Sequence, residues 1–226
     1  MQNDQTTHNS TLFRQTVFEL IKTFEIEEIV ETGTYLGLGS TKIFADTRLP
    51  VVSIECNHNY FLQALVNRPE QYVTIKYGLS LQRKQIEDFL DLNYFLKDFA
   101  KQSFPHVLFD NYTNGKEFYT KEIFDNLIEP YNEDLLIKSI NNKNQLIYLD
   151  SAGGIGFLEV SKLLQFLYSF NNPFNIENKI LILDDVNHIK HYASTSYLKD
   201  FGLNMNYSPN LRFAWCHFNK NIYGNS

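Results

Sequence analysis

The sequence predicts a doubly wound α/β fold built on a mostly parallel sheet. Three observations carry that reading. Short β-branched or aromatic runs alternate with helical periods between positions 28 and 77, the spacing of strand–helix–strand crossovers. Two later runs, 145–149 and 179–183, are nearly all apolar, as strands covered on both faces are. Each of these ends in carboxylate, Asp150 in the first case and Asp184 with Asp185 in the second.

From the N-terminus, Leu12, Phe13, Val17, Leu20 and Ile21 recur at helical spacing over 11–24, with Ser10 placed to cap the helix. The period then becomes that of strands at 28–31, 51–55 and 72–77, each bounded by Gly, Pro, Asn or charge. Helical spacing at 40–45 and 59–66 fills the gaps between them. The two buried strands are joined by a helix at 155–170, whose apolar side is Leu158, Leu163, Leu164 and Leu167. The chain closes on strand 203–207, the turn Ser208-Pro209-Asn210 and strand 211–218, a C-terminal antiparallel hairpin that brings the sheet to seven strands. Between the third and fourth strands, 84–144 loosens into Asn-rich, aromatic and charged text with helical fragments. One crossover does not need that length, so 84–144 reads as an inserted helical cap or lid on a single domain spanning 1–226.

Composition narrows the function classes. Hydrophobic residues make up 43% of 226 and charged ones 20%, which excludes general disorder. A net charge of −6 offers no broad attraction for a phosphate backbone, so nucleic acid is not an expected partner. Cys56 and Cys216 form neither a disulfide framework nor a paired-cysteine metal site, which suits a reducing, cytoplasmic setting. No apolar run approaches the ~20 residues of a membrane span, and the polar start, 1–10, lacks the apolar core of a signal peptide.

The chemistry-bearing signal is Glu31-Thr32-Gly33-Thr34-Tyr35-Leu36-Gly37-Leu38-Gly39-Ser40, between a predicted strand and a predicted helix. Its glycines let the backbone turn sharply and approach a ligand, and the helix start offers unpaired amides. The spacing Gly-x-x-x-Gly-x-Gly is neither the usual dinucleotide fingerprint nor a phosphate loop ending in Lys. Glu55 ends the second strand twenty-two residues after Gly33, where an acid can accept hydrogen bonds from both ribose hydroxyls. His188 and His191 follow Asp185 by three and six residues with Lys190 between them, and His106 lies in the insertion. His188 and His191, with Asp150, are the candidate proton-handling residues, since a His can accept a proton near neutral pH.

Together these residues resemble the class I S-adenosylmethionine-dependent methyltransferases, a Rossmann-like family, over most of 28–218 apart from the insertion. The resemblance rests on Glu31, Gly33, Gly37, Gly39 and Ser40 after strand one, Glu55 after strand two, Gly78-Leu79-Ser80 after strand three, Asp150 after strand four and Asp184-Asp185 after strand five. It looks closest to small-molecule O-methyltransferases, and it implies S-adenosylmethionine as cofactor. Glu31, Gly33, Thr34, Tyr35, Gly37 and Ser40 would then form the loop around its methionine part. Glu55 would take the ribose, Cys56 and Asn57 would lie beside the adenine, and Ser80 would meet the adenine edge. Asp150 would face the methionine ammonium or, with Asp184 and Asp185, hold Mg²⁺. Ser151-Ala152-Gly153-Gly154 departs from the metal-dependent pattern by adding no further ligand. The implied reaction is in-line methyl transfer to oxygen of a small molecule, sugar-containing or another secondary metabolite, with a His/Asp base. Insertion aromatics such as Phe104, Phe109, Tyr112, Phe118 and Tyr119 would cover the acceptor. The same scaffold also admits other, metal-assisted chemistry or a non-catalytic cofactor-binding subunit, and a homodimer is compatible with the insertion.

Overall fold

The computed structural model describes residues 11–91, 115–151, 155–170, 172–188 and 190–218. Strands β1 (Glu28–Thr32), β4 (Gln145–Leu149) and β5 (Lys179–Asp184) are buried at every position, which is why they read as continuous rather than alternating runs. With β2 (Val51–Glu55) and β3 (Val73–Tyr77) they form a parallel set. β7 (Phe213–His217) joins β5 antiparallel and β6 (Asn206–Tyr207) joins β7. The order β3-β2-β1-β4-β5-β7-β6 is the seven-stranded sheet with a reversed C-terminal pair that the sequence predicts. Winding reverses between β1 and β4, and the crevice beyond the carboxyl ends of such strands is where open α/β sheets bind ligands.

Alternate residues of one strand serve opposite layers. Leu146 and Tyr148 face α1 (Thr11–Thr23) and α2 (Ser40–Ala45), in a core with Phe13, Val17 and Phe44. Ile147 and Leu149 face α7 (Ile155–Leu167), in a core with Val160, Leu163 and Leu164. The helices α3 (His58–Asn67) and α8 (Tyr192–Asp200) complete the two layers. β6 is shorter than the predicted 203–207 because Gly202, at φ +89°, turns the chain and Leu203 donates its amide back to Leu198 O. Leu203 thereby closes α8 and enters the core instead of extending the strand.

Within 84–144, the described residues form α4 (Arg83–Asp91), α5 (Gly115–Phe124) and the short α6 (Leu135–Lys138). The returning chain is fastened to the end of β3. Gly78, at φ +140°, bridges Asn132, where a Cβ would meet the Asn132 carbonyl oxygen at 2.0 Å. Tyr77 Oη takes the Ile128 amide and donates to its carbonyl. Phe104, Phe109, Tyr112 and His106 lie outside the described residues. No helix among the described residues is long and apolar enough to cross a membrane.

Phe13 anchors α1 by edge or tilted contacts to Phe44, Tyr148 and Phe213 at 5.3–6.1 Å. Phe13→Ala should cost about 3–5 kcal/mol of stability, read as a lower urea midpoint with unchanged slope.

Candidate active site

The carboxyl ends of β1, β2, β4 and β5 open on a cavity of about 930 Å³. Its floor depends on Gly33, which has φ +82° and whose Cβ, if present, would sit 2.5 Å from the Asp150 carbonyl oxygen. Only glycine lets the β1 exit lie this close to the β4 exit. At the β2 end, Glu55 Oε2 accepts the Tyr35 amide at 2.7 Å and Oε1 the Asn57 amide at 2.8 Å. Burial pushes Glu55 up to about 7 although these amides oppose the shift. Tyr35 and Tyr60, 4.6 Å apart edge to face, form an aromatic wall beside it.

Of the residues expected at the cofactor, Gly33, Tyr35, Glu55, Cys56, Ser80 and Asp150 line this cavity. Four others are set beneath or behind it. Glu31 is fully buried and accepts hydrogen bonds from Ser40 Oγ, Thr41 Oγ1 (2.7 Å) and Ser53 Oγ (2.6 Å), so it ties the start of α2 to β1 and β2. Ser40 therefore belongs to that knot, and Thr34 shares a 2.6 Å hydrogen bond with Ser53. Gly37 faces α3, where a Cβ would lie 2.9 Å from Arg68 Cγ. Of the loop residues expected at the cofactor, Gly33 and Tyr35 thus face the cavity, and Glu31, Thr34, Gly37 and Ser40 lie outside its lining.

His191 is also corrected. It is fully buried, its Nε2 3.1 Å from Leu149 O and its Nδ1 3.1 Å from Ser194 Oγ. Nε2–H donates to the carbonyl, and burial drives the ring well below the ordinary histidine range, so it is a neutral strut between β4 and α8. His188 does line the cavity, with Nδ1 accepting the Lys190 amide at 3.3 Å.

Asp150, Asp184 and Asp185 come together as the sequence predicts, with one oxygen of each within 4.8 Å of the others. The cluster already holds two cations. Lys190 Nζ donates to Asp150 Oδ1 and, at 3.3 Å, to Asp185 Oδ2. Arg212 reaches Asp185 at 2.5 Å and Asp184 at 3.6 Å. Burial and Asp150 push Asp184 up to about 7; burial opposes the charge on Lys190, yet the three aspartates hold its pKa above the usual lysine range. The carboxylates alone have the hard oxygen chemistry Mg²⁺ prefers. With Lys190 and Arg212 seated among them, the residues present do not fit a divalent ion.

Lys190, Arg212 and Tyr60 line the cavity without having been assigned a role from sequence, and Asn57, expected beside the adenine, lines it as well. The described part of the insertion contributes Phe118, Lys121, Glu122 and Ile123, beside the Glu55 end. His58 N donates to Asn126 O at 2.9 Å there, so this part walls the expected cofactor side, while Tyr119 is buried in a core that the insertion shares with Leu79, Leu81, Ile155 and Leu158.

No protein-family model and no curated protein sequence matches the chain. Solved structures do. A Klebsiella pneumoniae protein assigned to the O-methyltransferases superposes with a TM-score of 0.51 at 13% identity, over 93% of this chain and 81% of its own. A Podospora anserina methyltransferase with S-adenosylhomocysteine bound gives 0.51 at 11% identity, over 93% and 80%. The precorrin-6y C5,15-methyltransferase of Geobacter metallireducens gives 0.50 at 8% identity, over 96% and 92%. The chain has the fold of the class I methyltransferases.

Glu31 supplies a test of its structural assignment. Burial raises its pKa to about 7, so the folded state holds the proton more tightly than the unfolded one. Stability should therefore fall as pH rises from about 4.5 to 7, with the full penalty above that range. Thermal melts across this range should show a smaller fall for Glu31→Gln than for the wild type.

Proposed function

We propose that the protein is an S-adenosylmethionine-dependent methyltransferase acting on oxygen of a small molecule in the cytoplasm. The observation that carries this is Glu55, a buried carboxylate at the β2 exit whose oxygens accept the Tyr35 and Asn57 amides and keep lone pairs for ribose hydroxyls. The cofactor fits the residues present. The Gly33 floor admits a close ligand, Tyr35 and Tyr60 wall one side, and Cys56, Asn57 and Ser80 border the space for a base. About 930 Å³ lies near the top of the ~300–1,000 Å³ typical of ligand sites, enough for a cofactor and a compact acceptor.

When bound, S-adenosylmethionine supplies an electrophilic methyl group on a sulfonium. The acceptor oxygen provides the electron pair of the new O–C bond, and the pair of the broken C–S bond stays on sulfur. At the acceptor end the chain offers donors: the Lys190 ammonium, the Arg212 guanidinium and the His188 ring line the same space. With Nδ1 accepting the Lys190 amide, the His188 ring presents an N–H at Nε2. Asp150 Oδ1 is held by Lys190. This arrangement favours an acceptor whose oxygen is acidic, a phenol, enol or carboxylate, which releases its proton to water and is bound as the anion. The net charge of −6 supports a small acceptor over a nucleic acid.

Calorimetric titration with S-adenosylmethionine and S-adenosylhomocysteine tests the reading; a folded sample that binds neither overturns it. Glu55→Ala should weaken binding by about 2–4 kcal/mol. Because ribose hydroxyls need the ionised carboxylate and Glu55 titrates at about 7, wild-type affinity should fall roughly tenfold per pH unit below 7. Glu55→Gln should bind weakly at every pH.

A further inference from the structure

Resting on the methyltransferase reading, we propose that Lys190 is the resident cation of the acceptor end and that the transfer proceeds without a divalent metal. The cavity ends in three aspartates within 4.8 Å of one another, an arrangement that by itself invites a metal. Here the ammonium is built into the centre. Nζ bonds Asp150 from β4 and Asp185 from just beyond β5, so it joins the two strand exits that a bridging ion would join. Arg212, entering β7, covers the outer side of Asp185 and Asp184. A divalent ion must either expel the ammonium or sit beside two fixed positive charges, and both oppose binding.

Placement of Lys190 is not left to a flexible loop. The next residue, His191, is pinned to Leu149 O and Ser194, and its ring fills the space in which a Cβ on Gly156 would stand, 2.5 Å away. Lys190 itself is 8% exposed, and its own amide is bonded to His188 Nδ1. An ammonium has three N–H donors. Two are placed on carboxylates, and among the described residues the third has no partner. Since Lys190 lines the cavity, that N–H is available to an acceptor oxygen. The ammonium would both screen the aspartates from one another and hold the oxyanion, two tasks that elsewhere fall to a metal.

Manganous ion alone is the probe, followed by electron paramagnetic resonance on the full chain without cofactor. Wild type should take up no Mn²⁺ below millimolar concentration, and its melting temperature should be the same in EDTA and in MgCl₂. Lys190→Ala should uncover the carboxylates and bind Mn²⁺ at least about tenfold more tightly; Lys190→Ala/Asp185→Asn should lose that gain. Micromolar Mn²⁺ uptake by wild type, or a folded Lys190→Ala that binds no better than wild type, overturns the proposal. If Lys190→Ala does not fold, the wild-type titration decides alone. Because no cofactor is present, a negative result for cofactor binding leaves this test intact, and the two failures are told apart.

Discussion

Keeping ionised groups out of water at one edge of a buried sheet is the constraint on which the rest of this structure depends. Parallel strands covered on both faces deliver Glu31, Glu55, Asp150 and Asp184 to the same low-dielectric rim, and α7 adds Glu159. Such groups survive burial only with partners. The kind of partner separates scaffold from site. Glu31 is answered by three hydroxyls and Glu159 by Thr32 and Ser151, neutral groups that brace one element against another. Glu55 is answered by backbone amides, and Asp150 by an ammonium; both of these carboxylates border open space.

The fold was legible because its signals are local and repeated. Continuous apolar runs at β4 and β5 mean burial on two faces, and their terminal acids mark the carboxyl edge. One helix that escaped had no clear apolar stripe to show. α8 buries Ser194 and Thr195 along with Leu198, so its pattern of hydropathy is faint, and without that helix the histidine before it reads as a candidate base. α4 differs in showing both signals, an apolar pair, Ile86 and Leu90, four residues apart, and the pairs Arg83 with Glu87 and Lys84 with Asp88.

The site was legible in part for a related reason. Gly33 and Glu55 could be read because turn geometry and spacing along the chain place them. Glu31 and Ser40 could not be sorted from them, because what draws them away from the cavity is Ser53 on the neighbouring strand, a contact across space. Lys190 and Arg212 come to the aspartates from separate segments, and a list of acids in the sequence suggests a metal until their neighbours are seen. Local patterns thus locate the rim, and packing decides which rim residues face the ligand.

The way the sheet ends bears on how the protein behaves in a crowded solution. A long free edge strand is a template on which another chain can add itself. β6 is two residues long and closes one side, leaving little length for such pairing. At the opposite side the insertion's return segment, held to Tyr77 and Gly78 by hydrogen bonds, covers the exit of β3. The fastened residues, Ile128 and Asn132, follow directly on those that wall the cavity, 118–126, so one stretch of chain serves in turn the ligand space and the border of the sheet.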